Sequence, residues 1–216
     1  MHRVTAALLT SIISLAPLHA ENMIGVSAAA GPAFPVRAVR RLLGTGVGGA
    51  GSIDFPLNDN VSILVRGGFY AWQFSNERIN TWVGALGGGR VPDAGGPFQA
   101  IPLTVGARVT FDGQLLRPYL GISGGACLLH WRFAGTSPVT GLPGEYTSTW
   151  TEPVVSVEAG LMVVLSGSLT LDVGGIYTAY SNAEDRVDPA EFLGVKIAEF
   201  NTATFVGVQA GLRVAF

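Results

Sequence analysis

Thr204-Phe205-Val206-Gly207-Val208-Gln209-Ala210-Gly211-Leu212-Arg213-Val214-Ala215-Phe216 ends the chain, and its reading decides the fold. Successive side chains of an extended strand point to opposite sides. Thr204, Val206, Val208, Ala210, Leu212, Val214 and Phe216 therefore share one largely apolar face. Gly207, Gln209, Gly211, Arg213 and Ala215 share the other. A soluble barrel would turn the apolar face inward. Here the small residues lie on the polar face, and the narrow interior of a small barrel is where small residues are needed. The apolar face is predicted to meet lipid.

The same period-two pattern recurs in segments of roughly ten residues along the chain. Leu169, Leu171, Val173 and Tyr177 oppose Thr170, Asp172, Gly174 and Thr178. Val155, Val157, Ala159, Leu161 and Val163 oppose Ser156, Glu158 and Gly160. Leu120 and Ile122 oppose Gly121, Ser123 and Gly125, with a bulge expected near Leu128-Leu129 where the phase blurs. Ile101 to Phe111 and Ile63 to Phe69 alternate likewise, and two Gly- and Ala-rich strands are expected near 22–34 and 45–57. That makes eight strands.

Composition points the same way. Charged residues are only 13 % of the chain and 30 residues are glycine, against about 25 % charged residues in an ordinary globular domain. The mean hydropathy is +0.41, yet beyond the N-terminus no run of 18 apolar residues offers a helical span. A transmembrane barrel combines these properties, because every second residue faces inward. Residues 1–20 read as a secretory signal: His2 and Arg3, an apolar run from Val4 to Leu15, then Ala16-Pro17-Leu18-His19-Ala20. The barrel domain is then 21–216. A net charge of −2 gives no basis for nucleic-acid binding. Cys127 is the single cysteine and His130 the only histidine past residue 20, so no disulfide or multi-ligand metal site is expected. No cofactor is implied.

Asn58-Asp59-Asn60, Asp112-Gly113-Gln114 and Ser166-Gly167-Ser168 read as tight turns. Long links are expected near 35–44, 75–97, 134–150 and 181–201. The fold class is thus all-β: an eight-stranded antiparallel up-and-down transmembrane barrel with short periplasmic turns and long extracellular loops. Arg117-Pro118-Tyr119-Leu120-Gly121-Ile122-Ser123-Gly124-Gly125 after a tight turn, with a last strand ending in Phe216, resembles the OmpA-like outer-membrane β-barrel superfamily. The resemblance covers nearly the whole chain past the signal. It implies export to the bacterial outer membrane, with Phe216 as part of the signal read by the barrel-assembly machinery.

The alternation places Asp54, Arg66, Arg108, Arg117, Glu158, Asp172 and Arg213 on the lumen face. Buried charge is costly unless paired and hydrogen-bonded, so an ion-pair network that plugs the lumen is expected. The alternative is a narrow pore, or a transporter of small or hydrophobic solutes, with Glu158 and Arg108 as gates. Arg37, Arg40 and Arg41 make the first loop basic and suit the phosphates of lipopolysaccharide. Trp72, Trp131, Trp150 and Tyr177 lie toward the long-loop ends of their strands, as interfacial anchors would.

Three motifs invite chemistry. Gly44-Thr45-Gly46-Val47-Gly48-Gly49 has dinucleotide-site spacing but precedes a strand rather than a helix, so glycines facing a cramped lumen explain it better. Tyr180-Ser181-Asn182-Ala183 resembles part of the lipid A deacylase motif, with Glu191 downstream. That family places a histidine base two residues before the serine, where this chain has Ala179, and a serine without a base is a weak nucleophile. Asp188-Pro189-Ala190-Glu191 reads as a helix start in the last loop. The expected function is a non-enzymatic, monomeric surface barrel, contributing to membrane integrity and to adhesion or host contact through its loops. Its expected partners are outer-membrane lipid and lipopolysaccharide, with the assembly machinery during biogenesis. A lipid A-modifying enzyme is the remote alternative.

Overall fold

The computed structural model describes residues 24–85, 89–137, 140–181 and 202–216. Eight strands form one closed antiparallel barrel in sequence order: β1 (Gly25–Val36), β2 (Gly46–Pro56), β3 (Val61–Gln73), β4 (Pro97–Thr110), β5 (Leu116–Thr136), β6 (Pro143–Val164), β7 (Leu169–Ser181) and β8 (Thr202–Ala215). Closure comes from β1 pairing with β8, Gly25 opposite Ala215 through Val36 opposite Thr204. A closed sheet leaves no unpaired wall edge, which a span through lipid requires. No described helix is long and apolar enough to cross a membrane.

The outer surface is an apolar belt. Leu103, Val105, Leu120, Ile122, Val155, Val157, Val173, Val208 and Leu212 are exposed around the wall, each on the face that alternation assigned outward, and Val47 of β2 joins them. Polar Ser52, Asp54, Thr104, Arg108, Ser156, Glu158 and Asp172 are buried inside. A soluble barrel has the inverse arrangement. Thr204 departs from the expected lipid-facing series: it is wholly buried where β8 pairs with Val36 and Ala179. Phe216 ends the series fully outside, 72 % exposed, with its N–H donating to Ile24 O at 3.0 Å.

The short turns form on one rim. Asn58 Oδ1 accepts from the N–H groups of Asn60 and Val61 at 2.9 and 2.8 Å, closing β2 onto β3. Ser166 Oγ accepts from Leu169 N–H at 3.2 Å between β6 and β7. Both ends of the barrel chain, β1 at Gly25 and β8 at Ala215, stand at this same rim.

The opposite rim differs from expectation in three places. The third long link is mostly strand: β5 and β6 pair without interruption from Leu116–Val163 to Thr136–Pro143. Thr, Tyr and Trp from Tyr146 to Thr151 favour strand, and Gly141 closes the hairpin at φ +71°. The one-to-one register also removes the expected bulge near Leu128-Leu129. The phase never breaks. Leu128 faces out and Leu129 faces in; the blur arises because the interior itself turns apolar there. Finally, the second link folds partly into helix α1 (Asn76–Ala85). Ser75 starts it, its carbonyl accepting from Ile79 N–H at 2.9 Å, and Ile79 and Val83 bury one face at i, i+4 spacing. The last long link, with Asp188-Pro189-Ala190-Glu191 and Glu191, lies outside the described residues, as do the expected signal at 1–20 and Asn182 and Ala183.

Candidate functional site in the lumen

The periplasmic half of the lumen holds an ion-pair cluster. Arg108 is its centre, 1 % exposed. Its Nε donates to Glu158 Oε1 at 2.9 Å, and its Nη1 lies 3.7 Å from Asp54 Oδ2 and 4.0 Å from Asp172 Oδ2. Arg66 pairs with the other oxygen of Glu158. Arg213 Nε approaches Asp54 Oδ2 to 3.1 Å. Tyr119 ties the ring together: its hydroxyl donates to Asp172 Oδ1 at 2.7 Å, and the Arg108 guanidinium stands 4.4 Å above its ring.

Three guanidiniums thus face three carboxylates, and the balance is even. Arg117 is not among them. It shares the inward phase but sits at the periplasmic rim, exposed, with Nε donating to Gly113 O at 3.0 Å. Alternation fixes a residue's face and leaves its height to register and turn position, which is why Arg117 was grouped with Arg108. Lumen glycines make room for the cluster: a methyl group on Gly121 would stand 2.6 Å from Glu158 Oε1, and one on Gly25 2.6 Å from Arg213 Nε. Gly46 and Gly48, from the spurious dinucleotide motif, lie under the rings of Trp72 and Tyr70.

The extracellular half is filled by aromatic rings. Trp72 stacks on Phe205 with centroids 4.1 Å apart, flanked by Tyr70, Phe98 and Tyr180. Phe74, Trp131 and Phe133 form a second group. Trp72, Trp131 and Trp150 are therefore interior fillers, exposed by 1, 1 and 4 %, and not interfacial anchors. Tyr177 alone of the four faces outward. The alternation contained this: Trp72 shares the phase of Ser62 and Arg66, Trp131 that of Gly121, and Trp150 that of Glu158. Proximity to the strand ends was the weaker signal. Above the rings, Val39, Leu42 and Leu43 of the first loop meet Ile79 and Val83 of α1, with Val91 and Ala94 beside them. The Arg78 guanidinium pins this cap by donating to Arg40 O and Leu43 O at 3.0 and 2.6 Å.

Little space remains between the two halves. A cavity of about 20 Å³ lies among Ser27, Ser52, Arg66, Tyr119, Glu158 and Asp172, room for roughly one water. Below the cluster the periplasmic mouth opens to about 300 Å³, lined by Asn58, Asn60, Arg117, Met162, Ser168 and Arg213. Glu152 went unnoticed in the sequence, although its phase also points inward. It is buried at 7 % exposure and has no ion-pair partner among the described residues.

Elsewhere the candidate residues lie apart from this site. Arg37, Arg40 and Arg41 form a short 3₁₀ turn at the extracellular rim, all exposed, with Arg37 in the left-handed region at φ 55°. His130 Nδ1 is 2.7 Å from Thr149 Oγ1 on the outside of the β5–β6 hairpin, with β6 between it and Ser181 at the end of β7. On the same hairpin Arg132 and Glu145 form two hydrogen bonds, 2.7 and 2.9 Å. These hold the Glu145 carboxyl below the usual carboxylate range. No group of three or more His, Cys, Asp or Glu placed to hold a metal occurs among the described residues.

No protein-family model matches the chain, and no curated protein matches it. Solved structures do. Neisserial surface protein A aligns over 89 % of this chain and 97 % of its own, at 18 % identity and a TM-score of 0.51. The attachment invasion locus protein Ail of Yersinia pestis aligns over 89 % of this chain and 99 % of its own, at 13 % identity and a TM-score of 0.47. The N-terminal β-barrel domain of Pseudomonas aeruginosa OprF aligns over 90 and 98 %, at 13 % identity and 0.41. At these identities the likeness concerns the fold alone. With its apolar belt and charged interior, the chain has the fold of the small eight-stranded barrels of the bacterial outer membrane.

Proposed function

We propose that the chain is a non-enzymatic, monomeric outer-membrane barrel, closed through its centre, that acts through its extracellular surface in membrane integrity and in contact with other cells or a host. The observation that carries this reading is the filled lumen: three guanidiniums matched by three carboxylates below, stacked aromatic rings above, and about 20 Å³ between them. Moving an ion through would strip its hydration and break buried pairs, both costly in a low-dielectric interior. Arg37 and Arg40, exposed in a short turn at the outer rim with Arg41 beside them, support a contact with lipopolysaccharide phosphates, which arginine suits by its bidentate geometry.

A second reading, a narrow pore, draws on the open periplasmic mouth, whose Arg117 and Arg213 would attract anions toward the cluster. Recording the refolded protein in planar bilayers separates the two. The closed reading expects no steady unit current; steady single-channel current from the intact protein overturns it.

A further inference from the structure

The periplasmic mouth encloses about 300 Å³, which is the lower end of the size range of small-ligand sites. Register brings its two arginines together from distant strands. Arg117 of β5 stands opposite Met162 of β6, while Arg213 of β8 stands opposite Thr170 of β7. Arg213 nevertheless reaches past β7, and its Nη1 donates to Met162 Sδ at 3.3 Å. The guanidinium from β8 thus ends beside the residue that faces Arg117, and both arginines line the same space.

Both guanidiniums have donors to spare. Such a group carries several N–H donors and no acceptor. Arg213 directs Nε to Asp54 Oδ2 at 3.1 Å, and its Nη1 meets only a thioether, a weak acceptor. Asp54 is itself shared with Arg108. Arg117 directs Nε to the Gly113 carbonyl at 3.0 Å, and its Nη groups bond no acceptor among the described residues.

Other polar groups of the mouth are also left to donate. Asn58 Oδ1 is taken by the N–H groups of Asn60 and Val61, which leaves its NH₂. Ser166 Oγ accepts from Leu169 N–H, which leaves its O–H. Among the described residues the one acid lining the cavity is Asp59, exposed on the β2–β3 turn. Asp54, Glu158 and Asp172 are matched deeper in by Arg66, Arg108 and Arg213. Arg117 is the surplus cation of the lower lumen, and it stands at this mouth.

We infer that the periplasmic mouth binds a small oxyanion, a phosphate or carboxylate group, between Arg117 and Arg213. Spare donors and surplus positive charge select a ligand that only accepts and is negative. The planar fork of arginine fits both oxyanions bidentately. No aromatic ring lines the cavity, so nothing there favours a flat or greasy ligand. The inference shares the mouth with the pore reading but requires saturable binding and no current. The bilayer recording and the test below therefore fail independently.

The test uses the full chain in nanodiscs of zwitterionic lipid. Arginine Nε–Hε signals are followed by NMR as inorganic phosphate or N-acetylglycine is added at constant ionic strength. Arg117 and Arg213 should shift along one saturating curve, while Arg132, paired with Glu145 at the opposite rim, stays still. Arg117 is exposed and bonded only to a turn carbonyl, so Arg117→Gln leaves the fold intact. It should weaken both ligands by about fivefold or more. Asp59→Asn removes the acid and should tighten them by about twofold. Phosphate linked to a dextran too bulky for the lumen separates the sources. Undiminished binding assigns the site to a group borne on a larger periplasmic molecule, and lost binding assigns it to a free solute. Shifts that never saturate, that chloride reproduces at equal ionic strength, or that persist unchanged in Arg117→Gln overturn the inference. So does movement of Arg132 in step with Arg117.

Discussion

Replacing Arg108 by Met tests whether the lumen cluster behaves as a coupled unit. Arg108 is buried and serves Glu158 directly at 2.9 Å, with Asp54 and Asp172 within 4.0 Å. Without it, two guanidiniums remain against three carboxylates in a space with room for about one water. Leaving a buried charge uncompensated costs about 3–5 kcal/mol. Glu158→Gln errs in the opposite sense: three guanidiniums then face two carboxylates, and Arg66 and Arg108 both lose an ionic acceptor. A cost of similar size is expected. The double variant restores the balance, with Arg66 and Arg213 against Asp54 and Asp172. It should therefore lose less than the two single changes together, by an interaction energy of about 2–3 kcal/mol. Urea unfolding in lipid vesicles, followed by tryptophan fluorescence, measures all four proteins, since Trp72, Trp131 and Trp150 are interior reporters. If the two single costs add to within about 0.5 kcal/mol of the double, the pairs are not coupled and the cluster argument fails.

Two further outcomes are expected. Trp72→Ala removes the ring that stacks on Phe205 and touches Tyr70 and Phe98, and should cost about 3–5 kcal/mol in the same unfolding assay; a loss under about 1 kcal/mol would show that the outer lumen is loosely packed. Deleting Phe216, which caps the lipid-facing series of β8 at the periplasmic rim, should impair assembly into the outer membrane in cells more than it changes the stability of the finished barrel; normal assembly of the truncated chain rejects the assembly-signal role.

Strand number, strand faces and the positions of the short turns were legible because a barrel that crosses lipid imposes one local rule. Every wall residue faces either hydrocarbon or lumen, so Val208 and Gln209 declare their sides without reference to the rest of the chain. The extracellular rim obeys no such rule. α1 and the cap of Leu42 and Leu43 depend on contacts between segments over 30 residues apart, and no local period announces them. The outer part of the β5–β6 hairpin was hidden because polar, threonine-rich sequence reads equally as loop or as strand outside the membrane.

By itself the sequence determined that the chain alternates, closes and carries charge inward. The tertiary structure alone decided which inward residues meet. Register and turn position set the height of each side chain in the lumen, and so divided one inward-facing set into an ion-paired lower half and an aromatic upper half. Arg108 and Arg117 share a face but not a level, so one is the centre of a buried cluster and the other a rim residue in water. Trp72, Trp131 and Trp150 sit at the height expected of membrane anchors, yet the phase of their strands turns them inside. Face is a property of two neighbouring residues; level is a property of the whole barrel.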